Sequence, residues 1–495
     1  MGSGLGGLEC GAILSKEGYK ILILEKNKQI GGNLQTFVRD RNIFDTGIHY
    51  VGGLDEGQNL NRYFKFLGIA DDLKLQKLDE KAFDYVSFDG NEQQYPHAQG
   101  YERFVDELLP YFPKERENLL HYTQKIKEVC KAFPLYFLEN NTAGGLNATY
   151  MDISAKDFIA SCTTDEKLQK VLAGTNLLYA GEGNKTPLYV HAMVINSYID
   201  SAYRFKNGGS QIAKLLTKII YQHGGKIIKH ANINRINVSN GLIDFVETKK
   251  GRKYFAKQFI SNIHPANTIA MIERGNFRNA YRKRIEGLQN SISVFILFLV
   301  IKPNSLKYFN CNYYHFIDQD VWNGPNYSDQ NWPPNYAVFT GATIKENDYT
   351  ETMTVMAYMD YKETVRWQGT YNIVSEEEDR GDEYQNFKRQ KAEKLIDELE
   401  KKFPGIKSKI KSYYTSTPLT YRDYIGTYDG SLYGITKDYK HPIKSFISSK
   451  TKIPNLFFTG QNLNMHGVLG VTLSSIITCS QFLGHEYLMD KVRKS

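Results

Sequence analysis

Cysteine is scarce: Cys10, Cys130, Cys162, Cys311 and Cys479 are scattered through 495 residues, and no pair has metal-ligand spacing. A disulfide framework is thereby excluded, and the thiols read as reduced, in a cytosolic setting. Long apolar runs are missing too. The longest, Ser291 to Ile301 (SISVFILFLVI), is about half of the roughly 20 residues that a membrane-spanning helix needs. Its β-branched content reads as a buried strand instead. The opening Met-Gly-Ser-Gly-Leu-Gly-Gly has neither the basic nor the apolar region of a signal peptide, and Gly6 stands where a myristoylation motif needs Ser or Thr. Export and lipidation are not expected from it. Charge of one sign is nowhere concentrated: 62 Lys and Arg are mixed with 54 Asp and Glu, for a net +8, so no nucleic-acid partner is expected. The mild basic excess suits a generally solvated surface first and peripheral contact with an anionic membrane second. A cytoplasmic protein, at most peripheral to a membrane, is the expectation.

What is present is an ordinary globular composition, 41% hydrophobic and 23% charged, in a chain long enough for a few domains or one domain with a large insertion. Aromatic content is high at 13%, with 35 Tyr and 27 Phe. Such an excess fills a core, and it also suits a long pocket for an apolar ligand.

Gly2-Ser3-Gly4-Leu5-Gly6-Gly7 fits GxGxxG, and an apolar helix pattern (Leu8, Ala12, Ile13, Leu14) follows and stops at Gly18. The next run, Lys20 to Leu24, reads as a strand and ends in Glu25, where the motif wants a carboxylate for ribose hydroxyls. Gly2 makes the turn, Gly4 lets the backbone approach a pyrophosphate, Gly7 allows close packing, and the helix N-terminus stabilises the phosphates. The motif should follow a buried strand, so the first strand of a Rossmann-like sheet is expected to be missing from this chain. Gly31-Gly32 form a second glycine pair suited to close approach, and the turn Asp45-Thr46-Gly47 follows Phe44. Asp45 reads as a turn residue satisfying backbone N–H groups, with a catalytic role as the alternative. Near the far end, Asn455 to Phe458 reads as a strand leading into Thr459-Gly460-Gln461, and Gly467-Val468-Leu469-Gly470 opens a helix over Thr472 to Phe482. Its N-terminus would stabilise charge on a bound flavin.

These stretches, together with NGGSQIAKLL at Asn207, FISNIHP at Phe259 and TPLTYRDYIGTYDGSLYG at Thr417, make the chain resemble the retinol saturase, phytoene desaturase and carotenoid isomerase group of flavoproteins. It resembles the retinol saturase branch most. The resemblance implies an α/β (overall α+β) fold with a Rossmann-like FAD domain of amine-oxidase type, assembled from discontinuous segments around an inserted substrate domain. Residues 1–70, 206–280 and 441–495 would form the FAD domain, and 71–205 and 281–440 the substrate domain. FAD would contact Gly2, Ser3, Gly4, Gly7, Glu25, Lys26, Gly31, Gly32, Asn33, Thr46 and Gly47. Further contacts would come from Ile233 beside the adenine, and from Asn262, Gly460, Gln461, Gly467, Val468 and Gly470. The segment Asp397 to Lys402, with Leu395, Leu399 and Phe403 at helical spacing, reads as a solvated amphipathic helix.

The implied activity is oxidation, reduction or isomerisation at C=C bonds of a polyene isoprenoid lipid, with hydride exchange at the flavin coupled to proton transfer. No second GxGxxG with its strand and acidic partner is visible, so electrons would pass to or from a separate donor or acceptor. Candidate proton handlers are His49 and Tyr50 after the turn, His466 before the C-terminal helix, Glu182 in the turn Tyr179 to Gly183, and His191. For each, a structural role competes with catalysis. Tyr421, Tyr424, Tyr428 and Tyr433 could line a tunnel or simply pack. Two further readings compete: an amine-oxidase-like flavoenzyme, and a non-enzymatic prenyl-lipid-binding protein of the GDP-dissociation-inhibitor type.

Overall fold

The computed structural model describes residues 1–138, 148–343, 348–374 and 376–495. Its first helix, Leu5–Lys16, is buried along almost its whole length, which small residues permit. A Cβ on Gly11 would sit 2.8 Å from the Ile23 side chain and 3.2 Å from that of Ile220. The helix is therefore wedged against the strand Leu22–Leu24 and the helix Ser210–Gln222, and it also packs along the C-terminal helix Gly467–Leu483.

The expected strand after this helix forms over Leu22–Leu24 and pairs in parallel with Lys226–Ile228. A second parallel pair joins Phe259–Ser261 to Leu456–Phe458. Met1 and Gly2 lie between the two pairs. The Met1 amine donates to the Ile260 carbonyl (2.7 Å), the Asn262 N–H donates to the Met1 carbonyl (2.9 Å), and the Gly2 N–H donates to the Leu24 carbonyl (2.9 Å). The place expected for a first strand thus holds two residues, which bridge both pairs through backbone hydrogen bonds. The C-terminal helix begins at Gly467, one turn earlier than the sequence pattern indicates.

A seven-stranded sheet forms the second layer system, in the order Ile410–Ser416, Ser293–Ile301, Thr352–Met359, Asn335–Thr340, Asn312–Phe316, Asp84–Phe88 and Gln94–His97. Every residue of Ser293–Ile301 is buried, and the reason is that both faces are covered. Phe295, Leu297 and Leu299 meet Ala392, Leu395 and Leu399 of the helix Gly381–Lys402. Val294, Ile296, Phe298 and Val300 turn into the main core. The charged stretch Asp397 to Lys402 thus belongs to a helix that caps the sheet, with Leu399 on its inner face.

Asp45 ends the hairpin Thr36–Arg39/Asn42–Asp45. Its carboxylate accepts the N–H of Gly209 (2.7 Å), the residue that caps the helix Ser210–Gln222. The backbone N–H it satisfies is close in space but 164 positions away in sequence, and burial pushes the carboxyl up to about 7.

Candidate functional site

A cavity of about 510 Å³ runs between the two layer systems. One end is a cradle of backbone. Gly2, with φ of +86°, turns the chain into the first helix in a conformation that L side chains rarely adopt. A Cβ on Gly4 would meet the Asn262 amide at 2.7 Å, one on Gly32 would meet Gly4 Cα at 3.0 Å, and one on Gly7 would meet the Gly2 carbonyl at 2.2 Å. The two glycine stretches therefore lie against each other, and the Gly31 N–H donates to the Ser3 carbonyl (3.0 Å). Glu25 fixes this turn: it accepts the Ser3 N–H (2.9 Å) and Ser3 hydroxyl (2.6 Å) on one oxygen and the Asn27 N–H (2.8 Å) on the other.

The first helix starts at Gly4 with no side-chain cap and no acidic residue in its first turn, and the same holds at His466 for the helix Gly467–Leu483. Such ends leave N–H groups free for anionic or electron-rich ligand atoms. Several buried polar atoms of cavity-lining residues have no protein partner, namely Asn27 Oδ1, Asn33 Oδ1, His49 Nε2 and Asn462 Oδ1. Buried polar groups of this kind are normally satisfied. A glycine cradle, two uncapped helix starts and orphaned amides together suit a dinucleotide with a planar, hydrogen-bonding ring.

Of the residues expected around the cofactor, Gly2, Ser3, Gly4, Glu25, Lys26, Gly31, Gly32, Asn33, Gly47, Ile233, Asn262, Gln461, Gly467 and Val468 line this cavity. Gly7, Thr46, Gly460 and Gly470 stand behind its wall. Gly460 and Gly470 are required by close approach, since added Cβ atoms would meet Asn262 Oδ1 at 2.3 Å and Met465 Cβ at 2.7 Å. Thr46 donates its hydroxyl to the Gln35 carbonyl (2.8 Å). Lys26 donates to the Asp423 carbonyl (2.7 Å), and burial lowers its pKa.

The other end of the cavity is apolar and aromatic, with Leu177, Tyr198, Phe339, Met356, Leu432 and Tyr433. Tyr421 and Tyr424 also line the cavity, whereas Tyr428 is 42% exposed. His49 lies in the cavity wall, stacked on Phe339 at 4.5 Å, and burial, reinforced by Arg204, lowers its pKa to about 4, so the ring is neutral. Tyr50 also faces the cavity. His466 stands just behind it beside a smaller void of about 30 Å³, edge-on to Tyr433 at 4.4 Å. Burial and then Lys437 push His466 down to about 3, and burial brings Lys437 itself to about 7.

Two candidates are placed elsewhere. Glu182 forms an ion pair with Lys185 (2.6 Å) and is not among the residues that line the cavity. His191 is held between the hydroxyls of Tyr122 and Tyr179, each at 2.8 Å, with both ring nitrogens engaged. Sequence reasoning missed Asp84, Asn312, Arg204 and Tyr314, which gather behind Tyr50; only the apolar strands around them gave any sign that these polar residues would be buried. Among the described residues, no group of three or more His, Cys, Asp or Glu is placed to hold a metal ion.

A family model for an NAD(P)-binding Rossmann-like domain matches residues 1–67. Across nearly the whole chain the sequence is similar to all-trans-retinol 13,14-reductase of Rattus norvegicus, with 26% identity covering 99% of this chain and 86% of that protein. Prolycopene isomerase 2 of an Oncidium hybrid cultivar is 24% identical over 96% of this chain and 82% of its own length. An oxidoreductase from Methanosarcina mazei shares the fold with a TM-score of 0.65 at 16% identity, covering 96% of this chain and 97% of that one. Cyclohexylamine oxidase from Brevibacterium oxydans superposes with a TM-score of 0.62 at 12% identity, over 100% of this chain and 98% of its own. Fold and cradle together define a Rossmann-like dinucleotide-binding protein that shares its fold with an amine oxidase. Within that fold the chain is similar, across nearly its whole length, to all-trans-retinol 13,14-reductases and prolycopene isomerases.

Proposed function

We propose that the chain holds FAD in the cradle and acts on C=C bonds of a polyene isoprenoid lipid in the aromatic end of the same cavity. One observation carries this reading: a single continuous space joins the glycine turn and Glu25 to Tyr198, Phe339, Met356 and Tyr433. Polar groups suited to a dinucleotide sit at one end, and apolar walls suited to a conjugated hydrocarbon at the other. A bound flavin supplies hydride exchange with carbon. The protein's own contribution is placement. Glu25 keeps the turn closed through Ser3, the start of the helix Gly467–Leu483 presents N–H groups to developing negative charge, and Leu177, Phe339 and Met356 exclude water from the alkene.

The similar reductases carry all-trans-retinol in their name and the similar isomerases prolycopene, so retinoids and carotenoids are the substrate classes to test. In this reading residues 1–70, 206–280 and 441–495 hold the cofactor, residues 71–205 and 281–440 hold the lipid, and a separate donor or acceptor exchanges electrons with the flavin. Among the described residues no helix is long and apolar enough to cross a membrane. An apolar substrate of this kind is reached by peripheral contact with a membrane surface. The test is the visible spectrum of the purified chain. The reading expects a yellow protein with a flavin band, and a protein that stays colourless after incubation with FAD overturns it.

A further inference from the structure

Tyr50 differs from the other aromatics of the cavity wall in what stands behind it. Its ring lies against Tyr198, 4.4 Å between centroids. Its hydroxyl donates to Asp84 Oδ2 at 2.7 Å and shares a second 2.7 Å hydrogen bond with the Tyr314 hydroxyl. Asp84 has no exposed surface. Its other oxygen accepts the Asn312 amide (2.8 Å), and the Asn312 carbonyl in turn accepts Arg204 (2.7 Å). Arg204 also donates to the Tyr308 hydroxyl (2.7 Å) and the Cys311 carbonyl (2.5 Å).

Among the described residues no cation touches Asp84 directly; an amide stands between it and Arg204. Burying a carboxyl this way is costly unless the group spends time protonated. Burial does push Asp84 up, to about 7, against the opposing hydrogen bonds of Asn312 and Tyr50 and the charge of Arg204. Packing alone would be served as well by a Phe at position 50 and a neutral amide at position 84. The arrangement instead puts a carboxyl that can hold a proton at neutral pH one hydrogen bond from a phenol that faces the cavity.

We propose that Tyr50 exchanges the proton with the bound alkene and that Asp84 is the positioning residue that exchanges it with Tyr50, an inference that rests on the C=C chemistry proposed above. In the reducing direction a bound, reduced flavin would supply hydride to one alkene carbon. With Asp84 protonated and donating to the Tyr50 oxygen, and the Tyr314 hydroxyl donating to it as well, the Tyr50 proton is free for the neighbouring carbon, so an O–H bond breaks and a C–H bond forms. The phenolate oxygen recovers a proton from Asp84 Oδ2, and the carboxylate left behind is held by the Asn312 amide with Arg204 beyond it. The two electrons come from a separate two-electron reductant that reloads the flavin, and the carboxyl regains its proton from solvent between turnovers. In the oxidising direction the same atoms run in reverse.

Tyr50→Phe and Asp84→Asn test this, both nearly isosteric and each checked for folding by its melting temperature. Infrared spectra of the cofactor-free protein at a pH about one unit below neutral provide a readout independent of turnover. We expect a protonated-carboxyl band that Asp84→Asn removes and Tyr50→Phe shifts. With FAD bound and a retinoid or carotenoid turned over, Tyr50→Phe should slow the reaction by about 10²-fold or more, with unchanged flavin binding and unchanged chemical reduction of the flavin. Asp84→Asn should slow it less and alter the solvent isotope effect. Turnover of the wild type together with Tyr50→Phe within about threefold of it, or an infrared spectrum that Asp84→Asn leaves unchanged, overturns the inference alone. A wild type that binds FAD but turns over no polyene overturns the underlying function, and the inference with it.

Discussion

Glu9 shows how one residue ties cofactor geometry to stability. It lies in the first helix with no exposed surface, accepts the Thr472 hydroxyl at 2.7 Å on one oxygen, and leaves the other without a partner. Thr472 belongs to the helix Gly467–Leu483, so this contact joins the two helices whose starts frame the cavity. Burial pushes the carboxyl from 4.5 up to about 8, against the hydrogen bond of Thr472. The fold therefore favours the protonated form. Its contribution to stability is complete below the unfolded value of 4.5 and is lost as pH rises towards 8, by about 1.4 kcal/mol per pH unit at most. Glu9→Gln should remove this slope: between a pH of about 5.5 and about 8 the wild type should lose more melting temperature than the variant. Parallel pH–melting curves would show that Glu9 is ionised in the fold. The presence of Glu9 in the first helix is plain from sequence, but its partner stands 463 positions away and nothing local announces it. The same holds for Tyr50, whose polar partners Asp84 and Tyr314 lie 34 and 264 positions distant. Glu25 was legible because the motif that needs it is local, with 22 positions between the carboxylate and Ser3.

Elements whose pattern depends on burial alone were read closely. The apolar run beginning at Ser291 forms the strand Ser293–Ile301, second in the seven-stranded sheet, because a strand covered on both faces must be apolar throughout. The spacing of Leu395, Leu399 and Phe403 marks a helix, but the sequence suggested only a solvated one. Its inner face instead covers the sheet, as Ala392, Leu395 and Leu399 are fully buried. Sequence periodicity reports which face is apolar and leaves open what that face meets. Leu399→Ala should therefore cost about 2–5 kcal/mol in urea unfolding, the range for a buried leucine. A loss under about 0.5 kcal/mol, the range of surface substitutions, would mean that the helix is not docked on the sheet.

The whole molecule closes one cavity with both ends of its chain. The turn Gly2–Gly4, the strand end at Asn262 and the helix start at Gly467 come from three distant segments, and the parallel pairs Leu22–Leu24/Lys226–Ile228 and Phe259–Ser261/Leu456–Phe458 hold them in register. Glycine motifs made the cradle visible in the sequence, whereas the aromatic end was visible only as an excess of Tyr and Phe with no address. Its residues come from helices and sheet strands that carry no motif. The joining of these two ends is the central claim, and one measurement addresses it most directly. The FAD-loaded protein is reduced chemically without oxygen, and retinoids and carotenoids are then added under the same conditions while the flavin absorbance is followed. Return of the oxidised flavin band on addition of one of these polyenes, with a product carrying two more hydrogens, is the predicted result. A reduced flavin that no polyene reoxidises, together with an oxidised flavin that no polyene reduces and no isomerised product, would contradict it.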